Sequence, residues 1–288
     1  MAHKTSAVAD EPIEVLFCLQ DKFNLMDFSG AAEVFTTALH EIKDKSSKAF
    51  EISIASEEPK VMSEEGIVVG GQLSYKEAYE NLKDYDTIVI VGGNSETVLK
   101  EKKEPLNIIT AFAELQKSDP GRERTLLSIC TGSLFLAQQG ILTGLSATTH
   151  PDYLTRFENL CSQAATRELA ERTDVDEDAR YVVNNLRFDL GDEDENPYVR
   201  RKSDARRPSN ARKGSMSLKG SSRRESIARR AAMRLGGLRV ITAGGVSAGV
   251  DAALYLVSAL VSEESAEEVA RQMQWTWVKG VVVDGLDV

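Results

Sequence analysis

Cysteine and histidine are both scarce in this chain, three of each among 288 residues. An odd set of cysteines (Cys18, Cys130, Cys161) in a long chain argues against a disulfide framework and for a reducing compartment. None is spaced from another as zinc ligands are, and His3, His40 and His150 are isolated, so no metal or other cofactor is expected. Long hydrophobic runs are missing as well. No window approaches the ~20 apolar residues needed to span a bilayer, and the N-terminal MAHKTSAVADEPIEV lacks the apolar core of a secretory signal. The expectation is a cytoplasmic protein with no membrane partner. With 42% hydrophobic residues the chain can still bury one large core or two smaller ones.

Charge is unevenly spread. Residues 200–234 carry 13 Lys/Arg against Asp204 and Glu225, a net +11, inside a chain of net −10. The basic run has no interleaved aromatics beyond the nearby Tyr198, and the remainder is strongly acidic, which argues against a nucleic-acid partner. From about Asn184 to Gly236 apolar residues thin out and Ser, Arg and Gly dominate. Such composition buries too little apolar surface to offset ordering, so 184–237 is expected to be a disordered insertion, acidic and then basic. Within it only Ser226–Leu235 has helical character. Arg-Arg-x-Ser recurs before Ser203, Ser209 and Ser226, a pattern suited to a basophilic kinase, since two arginines fit an acidic groove. Any Arg/Ser-rich stretch also yields such matches, and an unspliced intron would read the same way.

The rest of the chain alternates apolar strands with amphipathic helices. Ile13–Leu19 and Asp86–Val91 are apolar nearly throughout, as strands buried on both faces are. Phe50–Ser56, Thr125–Ile129 and Leu238–Ala243 complete the strand series. Helices are expected from about Ser29 (as N-cap) to Leu39, then over Tyr75–Leu82, Leu106–Gln116, Thr131–Gln139, Pro151–Leu160, Val246–Leu260 and Glu263–Trp275. This rhythm predicts an α/β fold, a mostly parallel sheet with helices on both faces. The domain so defined spans 13–183 and 238–275, with a flexible 1–12 and a tail at 276–288.

One stretch organises the chemistry. TLLSICTGSLFLAQQG (Thr125–Gly140) reads as a strand, Cys130 at a sharp turn, and a helix, with small Ser128 and Gly132 two positions to either side. That is the pattern of a nucleophile elbow. Unpaired N–H groups and a helix N-terminus would favour thiolate over thiol; a buried structural cysteine fits the same letters. In parallel sheets ligands sit beyond the carboxyl ends of the strands. Asp27, Gly92-Gly93 and His150 are expected at that end beside Cys130. Asp27 could equally be a helix-start carboxylate, and His150 a satisfied histidine at a strand end.

LMDFSGAAEVF (Leu25–Phe35), IVIVGGN (Ile88–Asn94), SICTGSLFLAQQGILTGLSATTH (Ser128–His150) and RVITAGGVSAGVDAALYLV (Arg239–Val257) together resemble the ThiJ/PfpI superfamily. Within it the chain looks most like the isonitrile hydratase group. The resemblance implies a flavodoxin-like three-layer sandwich and usually a homodimer, with which the apolar Val281–Val283 is compatible. It implies Cys130 as nucleophile and Asp27 as its acidic partner. Thr131 would position substrate or water, with the Gly93 and Thr131 N–H groups as oxyanion-type donors. The reaction implied is hydration of a small isonitrile to an N-substituted formamide through a thioimidate. Superfamily proteases and glyoxalase-like members place a histidine directly after the cysteine, where this chain has Thr131. A helix-turn-helix domain like that of related transcription factors would not fit in the 13 residues after Trp275. The alternatives are a thiol-based redox sensor and a glyoxalase-like activity on 2-oxoaldehydes. Pro151 and the 184–237 segment depart from the group's pattern.

Overall fold

The computed structural model describes residues 11–184, 199–200 and 231–283. Apolar runs of four to seven residues form its central strands because both faces of the sheet are covered. These are β1 (Ile13–Leu19), β2 (Phe50–Ser56), β6 (Thr87–Ile90), β7 (Thr125–Ile129) and β12 (Arg239–Ala243). Alternate side chains of β1 enter opposite cores. Val15, Phe17 and Leu19 pack on one side, and Leu16 and Cys18 on the other. Cys18 and Cys161 are plain buried thiols.

Short strands extend this centre. β3 (Lys60–Met62) and β4 (Val68–Gly70) pair as an antiparallel hairpin, and β5 (Leu73–Ser74) adds to β2. β8 (Ser146–Ala147) and β9 (Asp174–Val175) pair with each other. β10 (Tyr181–Asn184), β11 (Val199–Arg200) and β13 (Val281–Val283) build out the far side. The main sheet runs β11-β13-β10-β12-β7-β6-β1-β2-β5. Every pairing in it is parallel except β10 with β12, where Tyr181 faces Ala243 and Asn184 faces Val240.

One layer of helix holds α1 (Leu25–Thr37), α7 (Ala248–Leu260) and α8 (Glu263–Gln272). The other holds α2 (Tyr75–Glu80), α3 (Ser95–Glu101), α4 (Leu106–Ser118), α5 (Gly132–Gln138) and α6 (Leu154–Glu168). The result is the expected α/β, flavodoxin-like three-layer sandwich. Its strand order reverses at β1, whose neighbours β2 and β6 lead to opposite edges, and ligand sites in such sheets form at that reversal.

Three expectations need correcting. The first helix begins at Leu25 rather than Ser29, because Asn24 Oδ1 accepts the N–H groups of Met26 and Asp27. Asp27 therefore lies inside its first turn. Val281–Val283 is no free apolar tail. It is a strand paired with Val182–Val183, leaving Val282 and Val283 buried. Arg234–Gly237, assigned to the insertion, is a packed turn instead. Gln116 Nε2 donates to the Gly236 carbonyl at 3.0 Å, and Arg234 Nη2 donates to the Gly140 carbonyl at 2.8 Å. Val199–Arg200 likewise belongs to the sheet. Ala231 and Ala232 are helical. The start of that expected helix, Ser226–Arg230, lies outside the described residues, as do residues 1–10 of the N-terminal 1–12 expected to be flexible and Ser203, Ser209 and Ser226 of the kinase motifs.

Both tryptophans serve packing. Trp275 Nε1 donates to Asp251 Oδ1 (2.9 Å) and Trp277 Nε1 to the Asp251 carbonyl (3.1 Å). Asp251, fully buried in α7, also takes Arg180 Nε at 2.8 Å. A buried carboxylate is tolerable only when bonded this fully. Among the described residues, no helix is long and apolar enough to cross a membrane.

Candidate active site

β7 delivers Cys130 into a turn with φ +58°, a left-handed conformation that costs a residue with a side chain about 1–2 kcal/mol. Two bonds hold it there. Cys130 N–H donates to the Ala243 carbonyl of β12 (3.1 Å), and Ser133 Oγ donates to the Cys130 carbonyl (3.0 Å). Gly132 has no tolerance for a side chain, since a Cβ would stand 2.5 Å from the Ile90 carbonyl oxygen. Strained backbone over-determined by its neighbours, with small residues around it, is what the elbow pattern predicts.

The turn after β6 supplies the floor. Gly92 N–H donates to Asp27 Oδ2 and Gly93 N–H to Thr131 Oγ1, each at 3.0 Å. A Cβ on Gly92 would meet Asp27 Oδ2 at 2.8 Å and Thr131 N and Oγ1 at 2.9 Å, which is why glycine stands there. Gln20, at the end of β1, was not singled out from sequence. Its buried Nε2 reaches the carbonyls of Val91, Gly92 and Gly93 at 2.9–3.1 Å and pins the turn from behind. These partners lie more than 70 residues away in sequence, so no local pattern betrays the contact.

Asp27, Gly92, Gly93, Cys130 and Thr131 thus meet at the carboxyl ends of β1, β6 and β7. His150 does not join them by any bond the structure records. Its Nδ1 accepts Asp152 N–H at 3.2 Å and its ring stacks edge-on against Tyr153, so it caps the turn at Pro151. The nearest polar link runs through Thr149, whose Oγ1 lies 2.7 Å from Ser133 Oγ. The oxyanion assignment is corrected too. Gly93 N–H already serves the Thr131 hydroxyl and Gly92 N–H serves Asp27, while Thr131 N–H and its hydroxyl donate to the sulfur of Cys130.

Electrostatics overturn the expected resting thiolate. Burial, reinforced by the adjacent Asp27 charge, pushes the Cys130 thiol up to about 12, outweighing the Thr131 N–H that favours the anion. The helix beyond the cysteine is a mere seven residues. Burial likewise pushes Asp27 up to about 7, against the pull of Gly92 N–H and of a hydrogen bond with Cys130; the charges of Glu65 and Glu64 add to the rise. Asp27 is 1% exposed and its Oδ1 is left without a partner of regular geometry. The arrangement is a protonated thiol beside a carboxyl poised near neutrality, equipped to pass one proton between sulfur, carboxyl and a third group. Among the described residues no three His, Cys, Asp or Glu side chains group as a metal site would need.

Such an elbow on such a sheet defines a class. Residues 13–184 match the DJ-1/PfpI family model, and the chain belongs to that family. It is 28% identical over 151 residues to an uncharacterized protein in the cpoL 5' region of Streptomyces lividans, covering 52% of this chain and 96% of that one. It is 34% identical over 84 residues to an isonitrile hydratase of Pseudomonas putida, a match covering 29% of this chain and about a third (34%) of the relative. The fold is similar to the crystal structure of Drosophila melanogaster DJ-1beta, with a TM-score of 0.55 and 15% identity, over 93% of this chain and all of the other.

Proposed function

We propose that the chain is a cysteine-dependent hydratase converting small isonitriles into N-substituted formamides, and the observation that carries this is Cys130 on its strained turn with the buried Asp27 carboxyl beside it. An isonitrile carbon needs a nucleophile and then a proton on the same atom. As Cys130 sulfur attacks that carbon, its proton passes to the Asp27 carboxylate, and Asp27 returns it to the carbon, leaving a thioimidate. Thr131 N–H and its hydroxyl steady the charge on sulfur during the attack. Water then adds across the C=N bond, Asp27 taking a proton from it and handing that proton to the nitrogen, which leaves Asp27 ionised again. Asp27 finally relays the hydroxyl proton to sulfur as the C–S bond breaks, releasing formamide and restoring the thiol. The match to an isonitrile hydratase supports the substrate class.

Formamide release from a simple alkyl isonitrile, followed by NMR, tests this. Turnover is expected to fall by roughly 10⁴-fold or more in Cys130→Ala. The working form carries Asp27 ionised and Cys130 protonated, so kcat/KM is expected to fall as pH drops through about 7 and to hold steady above it. Loss of formamide formation at every pH in the wild-type protein ends the proposal. Methylglyoxal as a parallel substrate reports the glyoxalase-like alternative. The redox-sensor alternative draws less support, because oxidants select exposed, low-pKa thiols, whereas this sulfur is buried and held protonated.

A further inference from the structure

Three loops are knitted together over the Asp27 side of the site. After β1, Lys22 N–H donates to the Met62 carbonyl (2.7 Å) and Asn24 N–H to the Gly92 carbonyl (2.9 Å). The turn between β3 and β4 answers with Glu64 N–H on the Phe23 carbonyl (2.9 Å). Its two carboxylates reach further. Glu65 Oε2 accepts Leu25 N–H at 3.2 Å, at the start of the helix bearing Asp27, and Glu64 Oε1 accepts Asn94 N–H at 3.3 Å, one residue past Gly93. Asn94 Nδ2 closes the ring on the Asp21 carbonyl (3.0 Å).

We infer that Glu64 and Glu65 are specificity-determining residues, an anionic rim that admits uncharged or cationic substrates to Cys130 and rejects carboxylate-bearing ones. The inference deepens the hydratase reading and rests on it. Both side chains are exposed, yet anchored by backbone N–H groups on two different walls of the site, so their charges are fixed in place rather than free to swing away. Within the three loops Asp21 adds a like charge and Lys22 is the sole cation. The inner end holds a further carboxyl, Asp27, whose Oδ1 is buried without a regular partner. Beside the rim, Met26 and Met62 are 39% and 45% exposed, apolar surface suited to the organic substituent of a neutral isonitrile. A cleft lined by one sign of charge repels like-charged ligands, and the effect weakens with salt.

Alkylation of Cys130 reads the rim without needing turnover. Iodoacetamide and iodoacetate transfer similar groups to sulfur and release iodide, one reagent neutral and the other an anion. Peptide mass spectrometry of the native protein gives the rate at Cys130 for each. The neutral reagent is expected to lead by about tenfold beyond its lead on free cysteine, with the excess shrinking in high salt. In E64Q/E65Q, whose amide oxygens still accept the Leu25 and Asn94 N–H groups, that excess is expected to vanish. A loosened structure would speed both reagents and leave their ratio alone. An unchanged ratio in the variant, or no labelling of Cys130 by either reagent, overturns the inference. Absence of formamide with a charge-sensitive ratio would instead sink the hydratase reading and spare the rim.

Discussion

The two ends of the sheet both gather carboxylates, and they treat them in opposite ways. At the amino end, Asp86 and Glu14 line a cleft of about 650 Å³ together with Arg122. Arg122 Nε binds Asp86 Oδ1 at 2.7 Å while its other nitrogens take the Lys83 and Asp84 carbonyls, and Glu14 N–H occupies Asp86 Oδ2. Asp86 there is paired with a cation, in a cleft open to solvent that Glu11, Glu14, Asp84 and Glu123 keep acidic. At the carboxyl end, Asp27 has no cation, almost no water and a thiol for company. A cluster of acids is thus only a surface feature until burial and an unneutralised neighbour turn it into a proton-transfer device.

The sharpest way to break the contrast is at Gly92. Gly92→Ala would drive a methyl against both Asp27 Oδ2 and Thr131, and displacement of about 1 Å at a reacting group costs roughly 10²-fold in turnover. Formamide assays beside thermal melts check that activity falls far more than stability.

A second effect is thermodynamic. An acid whose folded pKa is raised holds more protons folded than unfolded between the two values, so stability falls as pH climbs from about 3.8 to about 7. Asp27→Asn removes that penalty. Its urea-unfolding free energy is expected to exceed wild type at pH 8 by about 2–4 kcal/mol, and to equal it near pH 4. A gain of the same size at both pH values would mean the carboxyl is not the source.

The smallest effect belongs to the amino end. Arg122→Ala loses partly exposed bonds, and is expected to lower stability by about 1 kcal/mol in urea melts with formamide turnover unchanged. A drop in turnover would show the two ends to be coupled.

How much of this was legible depended on sequence distance. Thr125–Gly132 announced its own geometry, because strand, strained turn and small neighbours are contiguous, and the Gly92-Gly93 turn did the same. The apolar runs of β1, β6, β7 and β12 sufficed for a parallel sheet, hence for which end holds the site. The start of α1 was misread because Ser29 and Asn24 are both competent caps, and a hydrogen bond to Asn24 decides between them. The charge state of Cys130 escaped: what holds it as a thiol is its burial and an acid that stands far from it in sequence. Gln20, Glu64 and Glu65 act through contacts that close only when three loops meet. Val281–Val283 was too short to declare itself a strand until Val182 and Val183 paired with it.

The antiparallel register of β10 on β12 carries a last consequence. Because Asn184 faces Val240 while Tyr181 faces Ala243, β10 ends and β12 begins at one pole of the sheet, the pole away from Cys130. The two ends that the connection from Asn184 to Arg239 joins therefore lie at the opposite end of the sheet from the reacting sulfur.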